Sequence, residues 1–495
     1  MMKRERLLFW GALAALLAGG WWLRSPLHHI PFERDEAAYV LIAQGWRGGA
    51  VLYRDLFDHK PPLLFLVYTL ALALPGDLVG AVRVLATLYL LATGVALAGL
   101  ALRLYGRSAA LAALATLLVY SSTPRLQGPM FNSEAALVLP ATLGCLLAVW
   151  AMQTGRLAGY ALAGLAVGVA AGIKPVGLAL LGPLALAPLL APGPPARRAA
   201  GLALGLLGSL LAPLGLGLLL WGQGALPAAY EALVVYNRLY VAESLRGWTP
   251  DSAARTAAPL LWLGLAALLG WGAGLRAPAA GPGQEVRPAY RAAHTVAGLW
   301  GLALLAGAPL SLRAYPHYYL AAVPLLSLWA GAAAALAARA CGRTLAAPVG
   351  LALLAALLAE PLGALQPLRA MAPAQQIAVL YGPDGDQFFA PAAKLGDLIA
   401  AHAPPGRPIF VWAAEPQLYL SSGRRPATRF VYDYPLDRLP GARDEVLALL
   451  ARDPPPVIVT YRGVRPIGFH PFMDDHGYRL LDTTYGYDLF VRSKK

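Results

Sequence analysis

The sequence predicts a polytopic α-helical membrane protein of about eleven transmembrane helices, with outer juxtamembrane helices and a C-terminal soluble α/β domain. Three observations predict it. Of 495 residues, 58% are hydrophobic and 13% charged, against roughly 45–50% and 25% in ordinary soluble domains. The apolar residues come in runs long enough to cross a bilayer, separated by short loops. After about residue 367 those runs stop, and short β-prone segments alternate with amphipathic helical ones. This composition excludes a typical cytosolic enzyme, a disordered chain and a coiled coil. The net charge of +14, from 40 basic and 26 acidic residues, is what retention of Lys and Arg on the cytoplasmic side produces. It implies no nucleic-acid partner. Cys145 and Cys341 supply neither a disulfide framework nor a metal pattern.

A spanning helix needs about 20 apolar residues, because the hydrocarbon layer is roughly 30 Å thick and each residue rises 1.5 Å. The first run, Leu7 to Leu23, follows a basic N-terminus and no small-x-small cleavage site follows it. It is expected to be an uncleaved first helix entering from the cytoplasm. Ten further runs cover approximately 79–101, 108–122, 134–151, 157–172, 175–191, 199–221, 256–275, 292–310, 318–338 and 345–366. Arg103 and Arg107, Arg156, Arg197 and Arg198, Arg276 to Arg291, and Arg339 and Arg343 then fall on the side of the N-terminus, the positive-inside pattern. That parity requires the stretch Pro62 to Pro75 not to span. It is too short to cross comfortably, and lies as a juxtamembrane helix in the outer interface. Glu36 to Trp46 places Tyr39, Ile42 and Trp46 at helical spacing and lies on the same interface.

The outer side receives loops 24–78, 123–133, 222–255 and 311–317, and the tail. In the tail, 408–412, 429–432, 457–461 and 488–491 read as strands, and 391–402 and 441–451 as helices. The division expected is a membrane domain over 1–370 and an extracytoplasmic α/β domain over 371–495, whose roughly 110–120 structured residues are enough for one core.

The ionisable residues of the outer loops carry the functional signal, since topology already accounts for the cytoplasmic arginines. Glu33-Arg34-Asp35-Glu36 follows the first span. Asp35 as an N-cap and Glu36 as a first-turn acid would explain these residues as a helix start. Asp58-His59-Lys60-Pro61-Pro62 opens the interfacial helix. The prolines suit a first turn, but a cation there opposes the helix dipole. Lys60 with His59 and free N–H groups makes sense around an anion such as phosphate; the alternative is a lysine reaching lipid head groups. Glu134, in Pro129-Met130-Phe131-Asn132-Ser133-Glu134, falls in the first turn of a span. In Leu312-Arg313-Ala314-Tyr315-Pro316-His317-Tyr318-Tyr319 an aromatic belt explains the tyrosines but not Arg313 and His317 together. Lys174 stands between two spans and needs water or an anionic partner. Such an inventory suits displacement of a sugar from a phosphate. A carboxylate takes the proton of the attacking hydroxyl, and cations stabilise charge on the departing phosphate.

The order of these motifs along the spans resembles the bacterial family 39 glycosyltransferases, which are similar to the protein O-mannosyltransferases and to the aminoarabinose transferase acting on lipid A. The resemblance covers roughly 1–370 and is strongest over 30–135 and 311–325. It implies the GT-C fold, a polyprenyl-phosphate sugar donor and action at the outer face of the membrane, here the bacterial plasma membrane. Carried over by position, it implies that Asp35 is the catalytic base or an acceptor-positioning group, with Glu36 as its partner and Glu134 as a second carboxylate. Lys60 would bind the carrier phosphate beside His59. Arg313, His317 and Tyr318 would meet the phosphate or the sugar, with Lys174 as a further phosphate contact.

The reaction this implies is an inverting displacement onto the hydroxyl of a glycan, lipid or protein acceptor. No nucleotide site is expected, because no glycine-rich phosphate loop follows a predicted strand. No cofactor is expected to be required, although Asp35, Glu36 and Glu134 leave a divalent cation possible. Two other classes stay open at this level. Charges between spans also occur in transporters and lipid flippases, and the spans could anchor the α/β domain as a binding module.

Overall fold

The computed structural model describes residues 2–247, 249–276, 288–310, 313, 315–466 and 468–493. Residues 277–287 of one basic loop, and Leu312 and Ala314 of the late motif, lie outside the described residues. The chain divides into two compact units. One comprises 1–28, 82–216 and 244–370; the other comprises 29–81, 217–243 and 371–495. A break thus falls at 370/371, where the composition changes, but segments 29–81 and 217–243 group with the C-terminal part.

The first unit is helical throughout its regular structure. All eleven predicted apolar runs fall on helices. Among the described residues seven helices are long and apolar enough to cross a bilayer: Arg4–Leu27, Leu78–Leu104, Ser133–Thr154, Pro195–Gly222, Pro250–Arg276, Pro316–Ala340 and Thr344–Ala370. Arg107–Tyr120, Leu157–Ile173 and Pro175–Leu190 are shorter. Burial sorts them. The most apolar stretch of Pro316–Ala340 is 83% buried and that of Thr344–Ala370 only 11%, so the former is central and the latter presents its leucines outward. Leu207, Leu211 and Leu214 of Pro195–Gly222 are likewise more than half exposed, which hydrocarbon tolerates and water would not. The protein is a multi-pass membrane protein.

Small residues let these helices approach. A Cβ on Gly164 of Leu157–Ile173 would overlap the carbonyl oxygen of Gly205 on Pro195–Gly222, and one on Gly168 would overlap that of Ser209. The four-residue spacing on both helices is the small-xxx-small pattern of close membrane helix pairs. Elsewhere Arg24, at the end of the first helix, is buried. It donates to Thr87 Oγ1 at 3.2 Å and to the carbonyls of Ser121, Gly128 and Pro129 at 3.0–3.1 Å, and so ties down the loop leading to Ser133–Thr154.

The second unit starts with two helices that pack on each other, Arg34–Arg47 and Pro62–Ala71. With 10 residues the latter rises about 15 Å, half of a bilayer core. The first was expected to start at Glu36 with Asp35 as its cap. The N-cap is instead Glu33, whose carboxylate accepts from the N–H groups of Asp35 and Glu36 at 2.9 Å each. Capping is thereby done by a neighbour, and the Asp35 carboxylate is left for other work.

The C-terminal part is α/β, around a mixed sheet in the order β1-β2-β4-β3: β1 Phe410–Trp412, β2 Val457–Tyr461, β3 Tyr478–Thr484 and β4 Tyr487–Arg492. β1 and β2 are parallel, and β4 runs antiparallel to both β2 and β3. Helices Ala392–His402 and Ala442–Arg452 match the expected pair. One expectation fails and one strand is additional. Residues 429–432 join no strand of the sheet; the Phe57 N–H bonds the Arg429 carbonyl at 2.7 Å and Phe57 forms an isolated bridge with Phe430, so the segment is held by the other end of its unit. β3 carries no clear strand signal in the sequence, because Tyr478–Thr484 alternates weakly, with Leu480 and Leu481 exposed at an irregularity in the ladder.

Candidate active site

Apart from Arg313, the residues singled out in the sequence form two clusters, one within each unit.

In the second unit, the start of Arg34–Arg47 and the turn before Pro62–Ala71 are brought together by Tyr39. Its hydroxyl donates to Asp35 Oδ2 at 3.4 Å, and its ring centroid lies 6.0 Å from Lys60 Nζ. The proposed base and the proposed phosphate ligand therefore share one aromatic side chain. Tyr39 follows Asp35 by one helical turn, a spacing visible in the sequence. Glu36 is fully buried. Burial, then the neighbouring Asp35 and Glu36 charges, push the Glu33 carboxyl well above its usual range.

The turn at Lys60 is built locally. Asp58 Oδ1 accepts from the Lys60 N–H at 2.9 Å, an Asx turn. Tyr53, in the left-handed region at φ 68°, donates its hydroxyl to the Lys60 carbonyl at 2.9 Å. Asp58 is buried, which pushes its carboxyl up to about 6 despite Lys60, and the Asp35 charge adds to the rise. Lys60 Nζ lies 2.7 Å from His59 Nε2. The imidazole stacks on Tyr240 at 5.4 Å and meets Tyr236 at 5.2 Å, and the Asn237 amide donates to the His59 carbonyl at 3.0 Å. Tyr236 ends a π-helical turn, Glu231–Tyr236, a rare local geometry often found at functional sites. None of Asp58, Tyr39 or Tyr240 was assigned a role from sequence. Asp58 at least stands inside the motif that was.

In the first unit, Lys174 finds its anionic partner in Glu134, with which it forms an ion pair. Glu134 is buried, and its other oxygen accepts from Ser133 Oγ at 2.9 Å. Asn132 occupies the N-cap position of Ser133–Thr154 without a side-chain capping bond. Lys174 Nζ also lies 4.0 Å from the Tyr318 ring centroid, a cation–π contact. Tyr318 stands edge-on to His317, centroids 4.9 Å apart, and His317 Nδ1 bonds Gln127 Oε1 at 2.6 Å. Arg313 Nε donates to Ser244 Oγ at 2.8 Å. Glu134, Lys174, His317 and Tyr318 are thus assembled in one cluster, with Gln127 as a partner that sequence reasoning did not single out.

Solved structures fold alike. The ArnT protein of Cupriavidus metallidurans in the apo state aligns at TM-score 0.62 with 18% identity, over 99% of this chain and 98% of that one. The chain has the GT-C fold. The same ArnT bound to undecaprenyl phosphate aligns at TM-score 0.58, also with 18% identity and over the same shares of the two chains. The archaeal oligosaccharyltransferase AglB of Archaeoglobus fulgidus, in complex with an inhibitory peptide and a dolichol-phosphate, aligns at 0.54 with 12% identity, over 92% of this chain and 70% of that one. Within the GT-C fold, residues 59–221 match the family model of dolichyl-phosphate-mannose-protein mannosyltransferases. That segment begins at His59 and includes Lys60, Glu134 and Lys174. Fold and family model agree with the family that the sequence resembles. No curated protein matches the chain.

Among the described residues, no group of three or more His, Cys, Asp or Glu side chains is arranged to hold a metal ion.

Proposed function

We propose that the protein is an integral membrane glycosyltransferase that moves a sugar from a polyprenyl-phosphate carrier to an acceptor hydroxyl. The observation that carries this is the shared contact of Tyr39 with Asp35 and Lys60, which sets a proton acceptor and a cation in one cluster. Asp35 removes the proton of the acceptor hydroxyl. The hydroxyl oxygen bonds to the anomeric carbon, the bond from that carbon to the phosphate oxygen breaks, and the electron pair leaves with the phosphate. Lys60, with His59 beside it, stabilises the phosphate charge. One displacement inverts the anomeric centre.

Glu36 backs Asp35. Lys174, Arg313, His317 and Tyr318 are assigned to the donor, by their positions in the motifs. Glu134 directs its charge to Lys174, which favours orienting that ammonium over removing a proton. Lys and Arg supply the positive charge that a metal would otherwise bring, so a divalent cation is optional. The sugar is a hexose or a pentose, and the acceptor a glycan, lipid or protein. The basic loops favour a cytoplasmic N-terminus, which puts the C-terminal domain and the chemistry on the outer side of a bacterial plasma membrane.

The test is purified protein in nanodiscs supplied with radiolabelled undecaprenyl-phosphate hexose and aminopentose, with candidate acceptors. Release of undecaprenyl phosphate with labelled acceptor is expected. Asp35→Asn should reduce it about 10²–10⁴-fold, and Lys60→Ala should act similarly, both without loss of thermal stability. Movement of the intact donor across the bilayer without cleavage would instead identify a transporter.

A further inference from the structure

Asn132 carries an amide that the fold buries and does not use. The residue is 2% exposed, and among the described residues neither its Oδ1 nor its Nδ2 has a hydrogen-bond partner. Both atoms are unpaired, so exchanging the oxygen and the nitrogen changes nothing. A buried polar group left without a partner is a cost that native folds rarely carry without a use.

A local partner is at hand and is not taken. Asn132 is the N-cap of Ser133–Thr154, at φ −62° and ψ 168°, and its carbonyl accepts from the Ala136 N–H at 3.1 Å. From that position an asparagine side chain ordinarily accepts from the second or third N–H of the helix. Here it makes no capping bond. The preceding segment is tightly held. Arg24 donates to the carbonyls of Gly128 and Pro129, and a Cβ on Gly128 would lie 2.5 Å from the Ser121 carbonyl oxygen.

The neighbouring side chains are committed to one another. Ser133 Oγ donates to Glu134 Oε2, Glu134 pairs with Lys174, and Lys174 Nζ lies over the ring of Tyr318, one of the residues assigned to the donor. What is left at the start of this helix is the Asn132 carboxamide, with two donor hydrogens and one acceptor oxygen. An ionised phosphate oxygen only accepts, and would leave Oδ1 unpaired. Two neighbouring hydroxyls of a sugar both donate and accept, and satisfy the whole amide.

We infer that Asn132 is a sugar-binding residue of the helical unit: its carboxamide bonds two neighbouring hydroxyls of the carrier-linked sugar, and so recognises the sugar rather than the phosphate. This rests on the reading of the chain as a glycosyltransferase with a carrier-linked donor.

The test compares two affinities of the full-length protein in nanodiscs, one for undecaprenyl-phosphate hexose or aminopentose and one for undecaprenyl phosphate, which has no sugar. Wild type should bind one of the sugar-bearing lipids more tightly than the bare phosphate. Asn132→Leu is close in volume and lacks the amide. It should weaken binding of that lipid about ten- to a hundredfold, leave undecaprenyl phosphate unchanged and keep the thermal midpoint at or above that of wild type. Asn132→Ala, which adds no bulk, makes the same comparison if the leucine variant does not fold. Equal losses for both lipids would assign the amide to the phosphate. Unchanged affinities, or failure of both variants to fold, would assign it to a buried water and the fold. Each of these results overturns the proposal, as does a wild type that gains nothing from either sugar. The glycosyltransferase reading fails separately, if wild type binds the sugar-bearing lipid and never cleaves it, while the two affinities still decide the role of Asn132.

Discussion

Glu134 and Lys174, forty residues apart in sequence, form an ion pair inside the helical unit, with side chains only 2% and 15% exposed. Removing one partner of a buried pair strands the other charge, whereas replacing both with apolar groups removes the cost of burial. Lys174→Met is therefore expected to destabilise the protein by about 3–5 kcal/mol, and Glu134→Leu with Lys174→Met to recover most of that loss. Chemical unfolding in detergent measures both. If the pair serves the donor, the double variant stays folded and fails in turnover; restored turnover would reduce the pair to packing.

Asp58 supplies a pH signature. Its carboxyl is pushed up to about 6 by burial, above the ordinary value of about 3.9, so the folded state holds this proton more tightly than the unfolded chain. The stability it contributes is fully present below pH ~3.9 and is lost as pH rises through about 6. Asp58→Asn keeps an oxygen for the Lys60 N–H and removes the titration. Wild type should lose about 3 kcal/mol relative to the variant between those limits, with a constant difference above them. A difference that does not vary with pH, in thermal or denaturant unfolding, refutes it.

Arg34 immediately precedes Asp35, and its guanidinium donates to Glu415 Oε1 at 2.8 Å and to Asp384 Oδ2 at 3.2 Å. Glu415 is fully buried, which raises its carboxyl, and Tyr461 also bonds it at 2.9 Å. Glu415→Gln should destabilise the fold by about 3 kcal/mol and lower turnover roughly tenfold, because the helix start that presents Asp35 loses its anchor. Steady-state kinetics on the folded fraction reads the second effect, and wild-type turnover there would show that the anchor serves folding alone.

Gly164 tests the helix packing. A side chain there meets the Gly205 carbonyl, so Gly164→Val should cost about 1–3 kcal/mol. Gly182, where a Cβ meets nothing within 4 Å, should accept Ala with an unchanged melting temperature.

The spans were legible because hydrophobicity over a run of about 20 residues is a local property, and a bilayer responds to that alone. Motif order made the GT-C fold legible as well. The weaker readings were those in which two local explanations compete. Asp35 suits an N-cap by composition, yet Glu33, two residues earlier, takes the cap through both of its oxygens. Residues 429–432 have strand composition, but their hydrogen-bonding edge is taken by Phe57 rather than by the sheet. Propensity cannot tell which partner an extended segment will meet.

Composition and local pattern are enough to make this protein polytopic, to locate its apolar helices and to mark which scarce ionisable residues stand out against lipid and aromatic belt. Folding sets which distant residues meet: Lys174 with Glu134, Asp35 and Lys60 through Tyr39, and His59 with Tyr432 across 373 residues of chain. Apolar runs are written in consecutive residues. A hydrogen bond between distant segments depends on how every intervening helix packs, and no local pattern encodes that.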